Sequence, residues 1–199
     1  PLEHVEHGDN PDFVMQASAS QRYNPRVWYW LAKDGRIFSS ITRQFVTSTD
    51  PNYVRWLAKG NTPAPWPGDQ SNAALDRLLN PLGIYVDLKT YAAKVRYDAE
   101  TGGITLNGAK VATDRASQAQ LNGAYGMAQA NPSFTVRWKG PDGSFSPSLS
   151  AAQITTMAEA VGAHVQACFD LEADTVAAID AGTITNCHQV KTAFTSIKM

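Results

Sequence analysis

Residues 91–139 read YAAKVRYDAETGGITLNGAKVATDRASQAQLNGAYGMAQANPSFTVRWK. Asp87 opens a helix in front of this stretch, and Leu88, Tyr91, Ala92, Val95 and Ala99 recur at helical spacing to about Glu100. Gly102-Gly103 stops it. Ile104-Thr105-Leu106 and Lys110-Val111-Ala112 flank Asn107-Gly108, the dipeptide that most strongly marks a two-residue hairpin turn. Thr113 or Asp114 caps a second helix to about Ala130, whose small residues (Ala116, Ala119, Gly123, Ala124, Gly126, Ala128) permit close approach of another backbone. Asn131-Pro132 ends it, and Phe134–Lys139 alternates as a half-buried strand does. Helix, hairpin, helix and strand in this order define an α+β domain.

The reading extends outward in both directions. After a turn at Pro141-Asp142-Gly143, Ser144–Ser148 reads as a weak return strand. Ser150 caps the longest helix, to about Ala181. Its apolar stripe comprises Ile154, Met157, Ala158, Val161, Val165, Cys168, Phe169, Val176 and Ile179. Gly182 ends it, and residues 184–197 form a final helix packed back on it. Upstream, Val27–Leu31 and Arg36–Val46 read as two strands around a Lys33-Asp34-Gly35 turn. Asp50-Pro51 starts a short helix carrying Tyr53, Trp56 and Leu57, with Gly60 in the left-handed region at its end. The proline-rich Asn61–Gly68 predicts an extended, semi-rigid linker, and Ser71-Asn72 caps a short helix to Leu79. The expected organisation is an extended N-terminal arm (1–21), a small β-rich docking module (22–60), a linker with a short helix (61–84) and a mostly helical α+β domain (85–199).

Net charge is −1 with both signs interspersed. Phosphate recognition needs a clustered basic patch, so nucleic acid is not the expected partner. No apolar run approaches the ~20 residues that span a bilayer, so no membrane is expected either. The first ten residues, PLEHVEHGDN, lack the basic and apolar regions of a signal peptide, which predicts synthesis in the cytoplasm without a cleaved leader.

No catalytic set emerges. GxGxxG, a P-loop, GxSxG and HExxH are absent, and the carboxylates are dispersed. Glu3-His4-Val5-Glu6-His7 offers two imidazoles, too few for a zinc site. His164 with Cys168 and Cys187-His188 together resemble a Cys2His2 inventory. A turn at Gly182, however, leaves Cys168 ~21 Å back along its helix and Cys187 ~7 Å beyond, at 1.5 Å per residue, too far for a shared metal or a disulfide. The expectation is two free thiols, no metal and no cofactor.

Four of the five tryptophans (Trp28, Trp30, Trp56, Trp66) lie in the first third. Rings of this density either fill a small core or anchor an interface or a sugar. Strand alternation puts Trp28 and Trp30 on one face and Tyr29 on the other, and a small module has difficulty covering both. Trp28, Trp30, Tyr53, Trp56 and Trp66 are therefore the candidate partner-binding residues, with core packing as the alternative.

Several separated segments carry a family resemblance in order: Lys94–Tyr97, Glu100–Ile104, Asn107-Gly108, Thr113–Arg115 with Ser117-Gln118, Ala128–Pro132, Val136–Lys139 and His164–Cys168. With these, residues 85–197 resemble the domain of unknown function 4376 found in tail-region proteins of tailed bacteriophages. Asp50–Tyr53 with Trp56–Pro63 is similar to a segment of tail-fibre and fibre-assembly proteins. The resemblance implies a virion setting and supplies no catalytic residue. It implies a non-enzymatic structural component of a phage tail (fibre, tip or baseplate-associated), docked on other tail proteins, as an oligomer or at a symmetric site. A tail-fibre assembly chaperone and a receptor- or glycan-binding tail protein are the alternatives.

Overall fold

The computed structural model describes residues 21–197. The mixed α+β class holds, and the chain divides into two compact units between Trp66 and Pro67. The extended arm expected over 1–21, with His4 and His7, lies outside the described residues except at Gln21.

In the first unit a 3-10 turn (Pro25–Val27), capped by Asn24, leads into β1 (Tyr29–Leu31). Gly35, at φ +89°, closes the Asp-Gly turn into β2 (Ile37–Ser39). The expected single strand Arg36–Val46 is two strands. Between Ser39 and Gln44 the chain reverses, with Arg43 at φ +57° and its N–H donating to Ser39 O at 2.8 Å. β3 (Gln44–Val46) then pairs back on β2. Ile41, inside the reversal, is half exposed. Asp50 caps α1 (Pro51–Ala58) by accepting the N–H groups of Asn52 and Tyr53 at 2.9 Å. The segment read as a linker is extended, but its two middle residues belong to the sheet. Ala64-Pro65 forms β4, parallel to β1 at the edge of a β3-β2-β1-β4 sheet. Proline is tolerated at such an edge because no ladder bond needs its N–H. The next residue, Trp66, donates its N–H to Leu31 O at 3.0 Å.

The second unit opens with α2 (Asn72–Leu79), capped by Ser71. Asp87 caps α3 (Leu88–Thr101), and Asp114 caps α4 (Arg115–Ala130). Between them β5 (Ile104–Leu106) and β6 (Ala109–Val111) form the expected Asn-Gly hairpin, with Asn107 at φ +51° and Gly108 at φ +81°. Gly103 is required: at φ +90° a Cβ would also sit 3.1 Å from Val111 O. β7 (Thr135–Lys139) and β8 (Phe145–Ser150) make a second, separate ribbon. Ser150 and Gln153 complete a capping box at the start of α5 (Ala151–Asp180), a helix ~45 Å long by its rise. α6 (Cys187–Ala193) follows.

α5 organises this unit. Ile154, Met157, Val161, His164, Cys168, Leu171, Thr175 and Ala178 repeat at alternating steps of three and four, the spacing of an inter-helical seam. Four of them, Ile154, Val161, Cys168 and Thr175, fall one heptad apart and are buried. α3 and α4 lie end to end along this seam, both antiparallel to α5. Lys89 meets Asp180 at 2.6 Å, Arg96 meets Glu172 at 2.8 Å and Gln129 donates to Thr155 at 3.2 Å. One core joins Leu121 and Ala128 of α4 to Ile154, Met157 and Val161. Another joins Ala99 of α3 to Cys168 and to Phe194 after α6. No described helix is long and apolar enough to cross a membrane.

Candidate functional site

The five residues predicted to meet a partner are buried within the chain, at 2–7 % exposure: Trp28, Trp30, Tyr53, Trp56 and Trp66. α1 supplies what strand alternation left out. Its Trp56 ring stands edge-on to Trp28 at 4.9 Å and 5.0 Å from Tyr29, and Tyr53 lies 4.9 Å from Tyr29. A second run of rings starts from Trp30, which pairs with Phe38; Phe38 meets Phe45 at 5.6 Å, and Phe45 stacks on Trp66 at 6.0 Å. The polar ends are also engaged. Trp30 Nε1 donates to Ser40 Oγ at 2.9 Å and Trp56 Nε1 to Gln21 Oε1 at 3.3 Å. Burial pushes the Tyr29 and Tyr53 phenols above their ordinary range. These rings are core residues, and the interface assignment is corrected accordingly.

The second unit holds a polar cluster that sequence reading did not single out, where α3, α4 and α5 converge. Glu100 is fully buried. Its carboxylate accepts from Arg96 Nη1, from Arg115 Nη2 at 3.1 Å and from Gln118 Nε2 at 3.3 Å. Arg96 also donates to Glu172 at 2.8 Å and lies over the Phe169 ring at 4.5 Å. Thr113, equally buried, donates to Glu100 O at 2.6 Å and accepts the Gly103 N–H at 2.9 Å, lacing the hairpin to the end of α3. The i, i+4 spacing of Arg96 and Glu100 was the one visible signal.

His164 and Cys168, the pair noted in the sequence, do meet: Nε2 lies 3.8 Å from Sγ. The same Nε2 lies 3.0 Å from Ala99 O. A carbonyl only accepts, so Nε2 carries the hydrogen and cannot take one from the thiol. Burial, reinforced by the charge of Glu100, pushes the Cys168 thiol above its ordinary range. The pair therefore lacks the arrangement of an activated nucleophile. Neither Cys168 nor Cys187 is in a disulfide, and no group of three or more His, Cys, Asp or Glu suited to a metal occurs among the described residues. The cluster's chemistry is that of a satisfied internal clasp.

An open groove of about 780 Å³ lies elsewhere in this unit, bounded by the β5–β6 hairpin, the β7–β8 hairpin and the first turns of α5. Its apolar lining includes Val111, Trp138, Leu149 and Met157, and Asp142, Ser146 and Gln153 contribute polar groups. Asp142 is held by the Ser144 hydroxyl at 2.7 Å and the Ser144 N–H at 3.0 Å, which keep its carboxyl below the usual range. Ser146 Oγ accepts the Trp138 N–H at 2.8 Å, and Gln153 Oε1 accepts the Ser150 N–H at 2.9 Å. Phe145 is 60 % exposed, with Arg137 and Lys139 about 6 Å from its ring. Sequence reading missed the groove because its walls come from segments up to fifty residues apart.

Neither the curated proteins nor the solved structures gave a match. Residues 86–194, more than half of the chain, match the model of the family described as Domain of unknown function (DUF4376). That span runs from the residue before the α3 cap to the turn after α6 and contains both the clasp and the groove, and the chain belongs to this family.

Proposed function

We propose that this protein is a non-enzymatic structural component of a bacteriophage tail that works by binding. The observation that carries the binding role is the contrast within the family-matched region. Its ionisable cluster is consumed in internal bonds, while its groove is open and lined by fixed groups. The virion setting is supported by the resemblance of residues 85–197 and 50–63 to tail-region and tail-fibre proteins. With the tryptophans of the first unit committed to its core, the docking surface is assigned to the second unit.

Mass spectrometry of gradient-purified virions from a host carrying the gene tests this directly. The chain is expected at a fixed ratio to a known tail protein, at a copy number that matches tail symmetry. Recovery from the lysate only, with none in virions, overturns the structural reading. If co-expression in that case renders an adjacent fibre protein soluble, the protein is an assembly chaperone.

A further inference from the structure

The geometry points to a saccharide-binding groove between the two β-hairpins of the second unit, with Trp138 as its platform. A sugar ring offers an apolar C–H face and a rim of hydroxyls. The groove offers the complement: an apolar floor of Trp138, Leu149 and Met157, and a polar rim of Asp142, Ser146 and Gln153. Its volume of about 780 Å³ falls inside the range of ligand clefts.

The rim groups are pre-positioned, which lowers the cost of ordering them on binding. Asp142 is anchored through Oδ1 to Ser144, which leaves Oδ2 to accept a ligand hydroxyl. Ser146 Oγ already accepts the Trp138 N–H, so its own hydrogen is directed elsewhere. Gln153 uses Oε1 in the capping box, leaving its amide nitrogen to donate. An ionised acceptor, a hydroxyl and an amide donor around an indole suit a polyol with one apolar face.

An added peptide strand is the competing occupant of a groove flanked by sheet edges. The edges here are poor templates. β8 carries Pro147, which has no N–H, and its register with β7 shifts between Arg137 and Lys139. β6 has three residues. Neither presents a continuous ladder.

The test uses the 15N-labelled full chain, whose five tryptophans give five indole N–H signals. An array of neutral and acidic oligosaccharides is screened, and the strongest hit is titrated. The expected result is a shift of the Trp138 signal with the other four unmoved, those four reporting that the first unit stays folded. Trp138→Ala is expected to weaken binding by roughly tenfold or more. Because Trp138 also packs on the core, Thr156→Arg provides a second variant. Thr156 is exposed on the α5 wall, and the longer side chain fills the groove without touching the core. No hit on the array overturns the proposal. So does binding that leaves the Trp138 signal still and survives Thr156→Arg, or a peptide library that moves this signal when no saccharide does. The readout is confined to the groove, so its outcome is separate from the presence or absence of the chain in virions.

Discussion

The two units reach a buried interior by opposite means. Between Gln21 and Trp66 the core is built from a few large rings. Trp28, Tyr29, Tyr53 and Trp56 form one cluster with Ile37, and Phe38 and Trp66 are buried on the sheet on either side of the exposed Phe45 ring. The second unit spreads aliphatic and small residues along one 30-residue helix. A short chain buries a smaller fraction of its surface than a long one, and each aromatic ring removes 150–250 Å² or so. The ring density of the first unit is thus explained by size. The difference teaches that aromatic enrichment in a small module is weak evidence of a binding face. The groove between the two β-hairpins lies in the unit of lower ring density.

Removing one large ring should break the first unit and spare the second. Trp56→Ala is expected to cost about 3–5 kcal/mol, the usual range for a buried Trp truncated to Ala. Near-UV circular dichroism should collapse while far-UV helicity persists, since the clusters along α5 contain no residue of the first unit. Loss of both signals together would contradict this expectation. In the second unit the matching experiment is Glu100→Ala, which leaves Arg96 and Arg115 without their shared carboxylate. Stranding a partly buried cation costs about 3–5 kcal/mol. The contact of Arg96 with Glu172 at 2.8 Å moves the expectation to the lower end. Urea unfolding followed by helicity measures it; a loss under about 1 kcal/mol would mean that the clasp contributes little net stability.

Thr175 sharpens the comparison in the other direction. It occupies an inward position of the α5 seam at 2 % exposure, and its Oγ1 has no hydrogen-bond partner. Thr175→Val keeps the shape and removes the stranded hydroxyl. Stability should rise by about 1–3 kcal/mol, again read from urea unfolding. A decrease would show that the hydroxyl is paired in solution.

Asp76 gives a pH dependence to the second unit. Its carboxylate is 4 % exposed and accepts from the Val86 N–H at 2.6 Å and the Asp87 N–H at 3.0 Å. Desolvation nonetheless outweighs these bonds and raises its pKa. The folded state then holds this proton more tightly than the unfolded state. Lowering the pH from neutral toward the ordinary carboxylate range increases Asp76's contribution, and raising the pH through its folded pKa removes it. Asp76→Asn does not titrate. The stability difference between wild type and this variant should therefore move in favour of wild type as pH falls from 7 to 4. A difference independent of pH would refute the assigned direction.

Much of the fold was legible because local chemistry decided it. Asp50, Ser71, Asp87, Asp114 and Ser150 all cap helices through their side chains, as their positions before apolar periodicity implied. Asp34-Gly35 and Asn107-Gly108 turn where positive φ is easiest. The reversal at Ser40–Arg43 was missed because none of its residues is Gly, Pro, Asn or Asp. It is set instead by buried Ser39 and Ser40, the latter donating its N–H to Trp28 O at 2.9 Å. Ala64-Pro65 read as linker because only the tertiary fold supplies β1 as its neighbour. The groove has no local signature, since Trp138 and Gln153 become neighbours only when two hairpins fold over the start of α5. The Trp28 and Trp56 assignment failed on a packing question that strand parity cannot answer: a helix arriving from twenty residues away covers the face.

The smallest effect concerns the outer side of α4. Leu121 and Ala128 face the seam, and the Gly123 and Gly126 positions face open space, since a Cβ added at either would meet nothing within 4 Å. Both lie inside a 16-residue helix at ordinary helical φ. Glycine there loses backbone entropy and gains no contact in return. Gly126→Ala should stabilise the second unit by about 0.5–1 kcal/mol, and Gly123→Ala by a similar amount. Distant, independent sites would add; these two lie one turn apart but share no contact, so the double variant should approach the sum. The inward face predicts the reverse sign, because Ala128→Gly removes a packed methyl as well as helix propensity. Thermal unfolding of these variants under one buffer separates the two faces. Stabilisation outside with destabilisation inside fixes the orientation of α4, whereas destabilisation by Gly126→Ala would mean that its outer face is already packed in solution.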